Sequence, residues 1–429
     1  MSTLKVNKIR DNSGSTDAIV LDPSGGAVLA GVTTVSTVKV GSGVTISSDG
    51  DVFTTGISTS SSVIVGGGVT ISESGIEASG IGITCANING GAVSGRRNII
   101  INGDQRISQR STTAVLVSTN AAYRCVDRFK TDIDGSSGGD FFHGQTGAGT
   151  SITADVPTGQ GFSHSSKITV NTSVSQPSGT DNRHQFYTML EKQDVAHLEW
   201  GTSAAKPCTL SFWVKSSVAG TYILWIKFYG ATSYHYYTNY TIDSANTWEK
   251  KVITITGHTS GGNVSGTTDQ GFLIEWNLGV SSGNETGTLN EWTTSGDIRA
   301  AAGSVYLPEN AGATWYITGA QFEVGSQATA FEHRSFGDEL SLCQRYYFGG
   351  ATEGTGNAYF GSVYSSGTSM VRVPHPVRMR STPTVSQPTQ GGGGTYAQTY
   401  ANSMITQYYF TGDTSVNVPV TEIDISAEL

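Results

Sequence analysis

Charge is scarce in this chain: Asp, Glu, Lys and Arg make up 14% of its 429 residues, against about 25% in ordinary globular proteins. That shortage disfavours long surface helices laced with ion pairs. Lys and Arg form no dense run and the net charge is −9, so no surface for nucleic acid is expected. No apolar stretch approaches the ~18 residues of a membrane span, and Met1 to Arg10 lacks the apolar centre of a signal peptide. No membrane insertion is therefore expected, and synthesis in a reducing cytoplasm is. Cysteine is limited to Cys85, Cys125, Cys208 and Cys343, with no CxxC pair. These read as scattered buried thiols rather than a disulfide framework or a structural zinc site. The eight histidines are dispersed and no HExxH occurs, so zinc hydrolysis has no support, and no cofactor is expected. Aromatic residues are missing from one end: among 7 Trp, 18 Tyr and 15 Phe, only Phe53 lies in the first 95 residues.

What fills that end is a repeat. Val40-Gly41-Ser42-Gly43-Val44-Thr45-Ile46-Ser47 returns 25 residues later as Val65-Gly66-Gly67-Gly68-Val69-Thr70-Ile71-Ser72, and Leu21, Gly25, Gly31 and Val32 stand at the same offset upstream of Ile46, Gly50, Gly56 and Ile57. A fixed period of this length marks a repeat architecture. Each copy holds a few β-branched residues among Gly, Ser and Thr, too few to bury a core alone. Stacking along the chain and winding of identical chains about one axis would supply the missing burial. Alternation such as Val44-Thr45-Ile46 favours strands and turns over a flexible linker.

Beyond Arg96 the aromatic residues return and a hydrophobic core becomes attainable. Short strands are expected at Leu210 to Val214, Tyr222 to Phe228, Trp248 to Thr256, Phe272 to Leu278 and Trp315 to Val324, with apolar residues often on both faces. That pattern argues a two-sheet sandwich. Helix is expected to be rare, with its best candidate over Asp338 to Tyr347, capped by Asp338 and with Leu340, Cys343 and Tyr347 on one face. Later strands are expected at Val371 to Val373, Pro383 to Val385 and Tyr408 to Phe410. The fold class is thus all-β: a fibrous β-repeat stalk over 1–95, a jelly-roll-like β-sandwich over 96–335, and a linker helix with a small β tip over 336–429.

Two Gly-rich stretches of that last region, Gly354 to Ser369 and Gly391 to Ser403, read as loops carrying Tyr359, Tyr364, Tyr396 and Tyr400. Loop tyrosines among small residues have the composition of binding loops. The same rings also suit the core of a small β domain, and the two readings stand side by side. A row of Tyr234, Tyr236 and Tyr240 on one strand face offers a stacking surface for sugar rings, although a place in the sandwich core fits it better.

Candidates for catalysis are thin. Gly135 to Gly139 and Gly279 to Gly283 satisfy GxSxG, but a nucleophile elbow needs a strand running into a helix, and neither is expected here. Glu191, Asp194 and Glu199 are close enough for a carboxylate pair, yet read better as a solvated polar segment. Asp132, Asp134 and Asp140 lie among glycines without the full spacing of a calcium loop; solvated loop acids are the favoured reading, with a structural ion the alternative. No catalytic residue and no metal ligand is assigned.

The chain resembles a known family at specific residues. Asn98-Ile99-Ile100-Ile101-Asn102-Gly103-Asp104, followed by Ile107-Ser108-Gln109-Arg110 and by Asp127-Arg128-Phe129, looks like the opening of tail-fibre proteins of tailed bacteriophages, including marine cyanobacterial phages. Leu210 to Lys215, Thr247 to Lys250, Trp276 to Gly279, Trp315 to Gly325, Phe331 to Ser335, Cys343 to Tyr347 and Arg378 to Thr384 are similar to that family in the same order. Ser2 to Ile9 and the repeats also look like such proteins. The resemblance covers residues 96 to about 386; Ser386 to Leu429 carries no recognised motif. It implies a virion fibre anchored through its N-terminal end to other tail or baseplate proteins. It also implies a sandwich like a carbohydrate-binding module and a C-terminal tip that meets a bacterial surface polysaccharide or lipopolysaccharide. It supplies no catalytic residues. A purely structural head fibre or collar component is the first alternative, and a glycan depolymerase the second.

On this reading the stalk assembles as a homotrimer with Val44, Ile46, Val69 and Ile71 facing symmetry mates. Light scattering at micromolar concentration is expected to give three times the 45.0 kDa monomer mass. Ile46→Asp combined with Ile71→Asp is expected to dissociate the trimer while the sandwich stays folded by circular dichroism. A monomer mass for the unmodified chain would contradict the assignment.

Overall fold

The Val-Thr-Ile alternation of the repeats folds into hairpins. The computed structural model describes the backbone of nine short strands within residues 1–95. It also describes residues 96–429 except 112, 119–121, 135–138, 180–182, 263–266, 286–287, 295–299, 352–358, 361, 366, 391–393 and 413–418. The chain divides into two compact units, Met1–Thr84 and Cys85–Leu429. In the first, the strands form three antiparallel three-stranded sheets. One joins Val38–Val40, Val44–Ile46 and Val52–Thr54, and the next joins Ser62–Val65, Val69–Ser72 and Gly75–Ala78. Val40 pairs with Val44 in one and Val65 with Val69 in the other, so each 25-residue period is one meander. The side chains of Val44, Ile46, Val69 and Ile71 lie outside the described residues.

The protein is all-β, with 46% of residues in strands and 8% in helices. The second unit begins with twelve strands: β1 (Val115–Val117), β2 (Phe129–Asp134), β3 (Asp140–Thr146), β4 (Ser165–Thr172), β5 (Arg183–Glu191), β6 (Cys208–Ser216), β7 (Gly220–Tyr229), β8 (Ser233–Ile242), β9 (Glu249–Ile255), β10 (Gln270–Val280), β11 (Trp292–Thr293) and β12 (Thr314–Val324). They build two antiparallel six-stranded sheets, ordered β1-β3-β4-β12-β6-β9 and β2-β5-β10-β7-β8-β11. The chain crosses repeatedly from one sheet to the other, as in a jelly roll. Period-two alternation decides which residues meet between the sheets. On β7, Tyr222, Leu224, Ile226 and Phe228 are all fully buried. They join Phe129, Phe186, Trp276, Phe212 and Trp315 in one core, where Phe129 stacks on Phe186 at 5.2 Å and Trp276 meets Phe212 edge-on at 5.5 Å. Removing any one of these rings costs about 3–5 kcal/mol.

The helix begins earlier than the sequence suggests. It is α1, Phe336–Gln344, and its cap is Ser335, whose Oγ accepts a hydrogen bond from the Asp338 amide at 3.1 Å. Asp338 instead receives the Ser335 hydroxyl at 2.6 Å. A serine immediately ahead of the first turn outcompetes an aspartate inside it because its oxygen reaches the orphan amide directly. Cys343 packs with Tyr346, Ile101 and Ile107, and Leu340 lies against them, whereas Tyr347 opens the next strand.

Past the helix come β13 (Tyr347–Ala351), β14 (Tyr359–Phe360), β15 (Ser362–Ser365), β16 (Thr368–Pro374), β17 (Thr384–Val385), β18 (Thr389–Gln390), β19 (Thr395–Ala401), β20 (Ile405–Thr411) and β21 (Pro419–Ser426). β21 is the spine of a five-stranded sheet, pairing with β13, β14, β17 and β18, and the order β15-β16-β20-β19 makes a four-stranded sheet. Val371, Val373, Tyr408 and Phe410 of one sheet meet Val420, Ile423 and Ile425 of the other in a second core. The stretches expected as tyrosine loops are strands over Tyr359–Phe360, Ser362–Ser365 and Thr395–Ala401. Their Gly and Ser content suggests turns, but alternation in Thr395-Tyr396-Ala397 and a ready partner edge on β20 prevail.

The stretches Asn98 to Asp104 and Asp127 to Phe129 help to form a seam between the sandwich and the C-terminal sheets. The Asn98 side chain accepts from the amides of Ile100 and Phe322 at 3.0 and 3.1 Å and donates to the Ala320 carbonyl at 3.1 Å. Asn102, at φ 60°, donates to the carbonyls of Ile107 and Asp127, both at 2.9 Å. A Cβ at Gly103 would stand 2.0 Å from the Ala320 oxygen, so only glycine fits there. Arg128 is 1% exposed; its guanidinium lies 3.4 Å over the Tyr346 ring and pairs with Glu428. Arg110 bridges Asp127 and Glu428, each at 3.2 Å, and lies 3.5 Å over Tyr347. Arg380 donates to the carbonyls of Ala427 and Thr268 at 2.7 and 2.6 Å.

Removing one member of a buried pair leaves an uncompensated charge, so Arg128→Ala is expected to lower stability by about 3–5 kcal/mol in denaturant titration; a loss below about 1 kcal/mol would mean the seam is not a stabilising contact. A second expectation concerns pH. His143 is fully buried against Thr131 and Ser166, and burial holds its pKa down from 6.5 to about 3. Because the unfolded chain takes up that proton first, His143 costs stability as pH falls from 6.5 toward 3. Asp127, pushed up from 3.8 to about 6 by burial, acts in the opposite sense over its own interval, so parent and variant are compared at each pH. The stability advantage of the parent over His143→Gln is expected to be largest near pH 7 and to shrink by pH 4. A constant difference would show that His143 is not held neutral.

Candidate binding groove on the C-terminal sheet

The exposed face of the four-stranded sheet follows from the alternation on β20. Tyr408 and Phe410 are fully buried in the core, which sends Tyr409 to the other side. Register sets its neighbours: Gln398 and Met370 lie opposite Tyr409, Tyr400 opposite Gln407, and Thr368 opposite Thr411. Tyr364 of β15 and Tyr400 of β19 are 61% and 57% exposed. Both rings meet Tyr409 edge-on, at 5.5 Å and 87° for Tyr364 and at 5.6 Å and 84° for Tyr400. The three rings therefore support one another, with the two outer ones presenting their surfaces to solvent. Ligand sites are typically clefts of about 300–1,000 Å³; this open groove holds 620 Å³ and is lined by the three tyrosines with Gln398, Gln407 and Thr368 among its polar groups. The Tyr409 hydroxyl donates to Gln407 Oε1 at 3.4 Å. Flat rings flanked by amides and hydroxyls suit a ligand that has both apolar faces and many hydroxyls.

Of the four tyrosines expected at a binding surface, Tyr364 and Tyr400 come together here, and Tyr359 and Tyr396 do not join them. Tyr396 packs against the second core, 6.2 Å from Phe410, and its hydroxyl meets Thr399 Oγ1 at 2.7 Å. Tyr359 packs against the same core, and burial pushes its hydroxyl pKa up. Tyr409, the central ring, escapes a reading that treats Tyr408-Tyr409-Phe410 as one apolar strand. Alternation within that triplet is the signal that identifies it.

Among the described residues, the aromatic rows of the sandwich strand β8 offer no comparable exposed surface. Tyr236 and Tyr240 are core residues, with Tyr240 stacked on Tyr222 at 5.6 Å, and Tyr234 packs against them. On the opposite face of β8, Tyr237 and His235 stack with Trp225 at 5.7 and 5.5 Å, but Trp225 and Tyr237 are 6% and 1% exposed. Their ring faces are covered.

Other candidate groups are engaged or lie outside the described residues. Ser136 and Ser137 fall among the latter. Ser281 follows β10 into a three-residue 3-10 turn, Ser282–Asn284, not into an α-helix. Glu191 is not solvated: it is fully buried, with Arg345 donating to its two oxygens at 3.1 and 3.0 Å. Asp194 is raised by burial and by Glu191. Asp140 accepts from the Thr172 amide and the Asn171 side chain at 2.7 and 2.9 Å. Among the described residues no group of three His, Cys, Asp or Glu side chains is placed to hold a metal ion. Cys125, Cys208 and Cys343 are buried free thiols, and burial raises the pKa of each, the opposite of what a nucleophile needs.

No protein-family model matches the chain, and no curated protein matches it. Among solved structures, it is similar over 53% of its length to the enzymatically active domain of tailspike protein 4 of bacteriophage CBA120, at 14% identity and a TM-score of 0.27, and spans 21% of that chain. It is also similar to the CBM22-1 xylan-binding domain of Paenibacillus barcinonensis Xyn10C, at 10% identity and a TM-score of 0.25, covering 55% of this chain and 100% of that one. A family 11 carbohydrate-binding module of Clostridium thermocellum Lic26A-Cel5E gives 13% identity and a TM-score of 0.23, with 51% and 100% covered. At these scores none of them assigns the chain to a family.

Proposed function

We propose that the chain is a fibre protein of a tailed bacteriophage that binds a polysaccharide or lipopolysaccharide of the bacterial surface through the groove on its C-terminal sheet. The observation that carries this reading is the cluster of Tyr364, Tyr409 and Tyr400 bordered by Gln398, Gln407 and Thr368. Sugar rings carry apolar C–H faces that stack on exposed aromatic rings, and their hydroxyls pair with side-chain amides and hydroxyls. Two-χ tyrosines supply that area at small entropic cost. The repeats of residues 1–95 and the ordered family motifs support the fibre assignment, with attachment to the virion through the N-terminal region and assembly as a homotrimer.

A shallow site of this kind binds weakly by itself. Three copies on one axis would raise avidity by about 10²–10⁴ where receptor spacing lets them engage together. Adhesion in this reading involves no bond cleavage, which separates it from a depolymerase. A head fibre or collar component would leave the groove idle.

The test is competition with phage adsorption. Full-length protein is expected to block adsorption, and Tyr364→Ala or Tyr409→Ala to weaken the block by about tenfold or more, since about 1.4 kcal/mol per site is tenfold, with the thermal transition unchanged for exposed Tyr364. Tyr359→Ala and Tyr396→Ala should act through stability instead. Undiminished blocking by the Tyr364 and Tyr409 variants would move the site elsewhere. Release of reducing ends from the glycan by purified protein would replace adhesion with cleavage.

A further inference from the structure

Charge is distributed unevenly within the C-terminal sheets. The chain as a whole carries 34 Asp and Glu against 25 Lys and Arg, yet from Gly354 to Gly412 it has no acidic residue, only Arg372, Arg378 and Arg380 as fixed charges. Glu353 and Asp413, at the two ends of that stretch, lie outside the described residues; among the described residues of the C-terminal sheets the carboxylates sit on β21, where Glu422 and Asp424 are exposed and alternate with buried Ile423 and Ile425 on the five-stranded sheet. Among the described residues, the strands of the four-stranded sheet thus present an acid-free face.

The three arginines of that stretch are not equivalent. Arg380 is spent on carbonyls of the seam. Arg378 donates to the Ser403 hydroxyl at 3.3 Å. Arg372 is exposed, and no carboxylate, carbonyl or ring among the described residues engages its guanidinium. Its position in the sheet is set by register: Arg372 lies directly opposite Gln407, and Gln407 directly opposite Tyr400. Paired residues point to the same face, so Arg372, Gln407 and Tyr400 form one row across three strands. The adjoining row is Met370, Tyr409 and Gln398. A free guanidinium therefore stands at the border of the tyrosine groove, one strand from a residue that lines it.

We propose that the groove selects an acidic glycan, one in which a sugar ring stacked on the tyrosines bears an anionic substituent, a carboxylate or a phosphate ester, that Arg372 engages. This rests on the groove being the glycan site. The guanidinium fork matches a carboxylate or a phosphate through paired hydrogen bonds. The groove-lining residues contain no acid to repel such a group and no second cation to compete for it. On a protein of net charge −9, an acid-free face also removes local repulsion that would otherwise slow the approach of an acidic polymer.

Full-length protein, Arg372→Gln and Tyr409→Ala are compared on an array of bacterial-type oligosaccharides printed in matched pairs. Each uronic-acid-containing glycan stands beside its carboxyl-reduced form, and each phosphorylated glycan beside its dephosphorylated form. The expected result is binding to charged members, weakened by about tenfold in Arg372→Gln, as for loss of one charge-assisted contact, weakened further by raised salt, and lost in Tyr409→Ala. The carboxylate and phosphate pairs report which anion is read. Equal binding to charged and neutral members, unchanged in Arg372→Gln but lost in Tyr409→Ala, overturns the selectivity and leaves the groove as a glycan site. Binding unaffected by Tyr409→Ala, or absent from every pair, overturns both. Because Arg372 is exposed and its guanidinium has no hydrogen-bond or ion-pair partner among the described residues, Arg372→Gln keeps the parental circular dichroism spectrum, and a changed spectrum would itself contradict the placement of this side chain.

Discussion

The buried guanidinium of Arg128, held between the Tyr346 ring and the Glu428 carboxylate, is the contact on which the second unit's organisation depends. It joins three stretches far apart in sequence: the start of the sandwich, the end of α1, and the last residues of the chain. A charge this deeply buried is tolerable only with a partner and hydrogen bonds in place. Arg110 and Asp127 extend the arrangement, and the Arg128 side chain also donates to the Met189 carbonyl at 2.5 Å. The C-terminal residues are therefore part of the sandwich's own polar network. A groove built on sheets anchored in this way keeps a fixed relation to the sandwich, which pre-organises it for a ligand.

Alternation along strands accounts for the rest. On β7 it sends four large apolar side chains into one core, and on β20 it sends Tyr408 and Phe410 inward and Tyr409 outward. The same rule separates acids from the groove by placing Glu422 and Asp424 on the other sheet. Edge-on packing of Tyr364 and Tyr400 against Tyr409 then fixes rings that would otherwise be free to rotate, so less entropy is lost when a ligand settles on them.

Much of the fold is legible in the sequence because it rests on local patterns. The strands at Leu210 to Val214, Tyr222 to Phe228 and Trp315 to Val324 follow from period-two alternation. The helix start was misplaced by the presence of two competent caps, Ser335 and Asp338, whose competition is settled by backbone geometry. The Gly354 to Ser369 and Gly391 to Ser403 stretches read as loops because strand pairing with β20 and β21 is a long-range event that composition does not record. Tyr364 and Tyr400 are legible as candidates for a binding surface, alongside Tyr359 and Tyr396; their convergence on Tyr409 depends on that same pairing. Glu191 shows the converse difficulty: nothing near it in sequence announces Arg345, so burial in an ion pair could be learned only from the fold. The motifs Asn98 to Asp104 and Asp127 to Phe129 mark the family resemblance, yet their side chains are spent on the seam and none lines the groove.

The most direct test of the account is a structure of the full-length protein with oligosaccharides prepared from the surface polysaccharide of a host it adsorbs to. The account predicts sugar density across Tyr364, Tyr409 and Tyr400, with ring faces stacked on the exposed tyrosines and hydroxyls near Gln398 and Gln407. Density confined to the sandwich sheet around Trp225 and Tyr237, with the tyrosine groove empty, would contradict it.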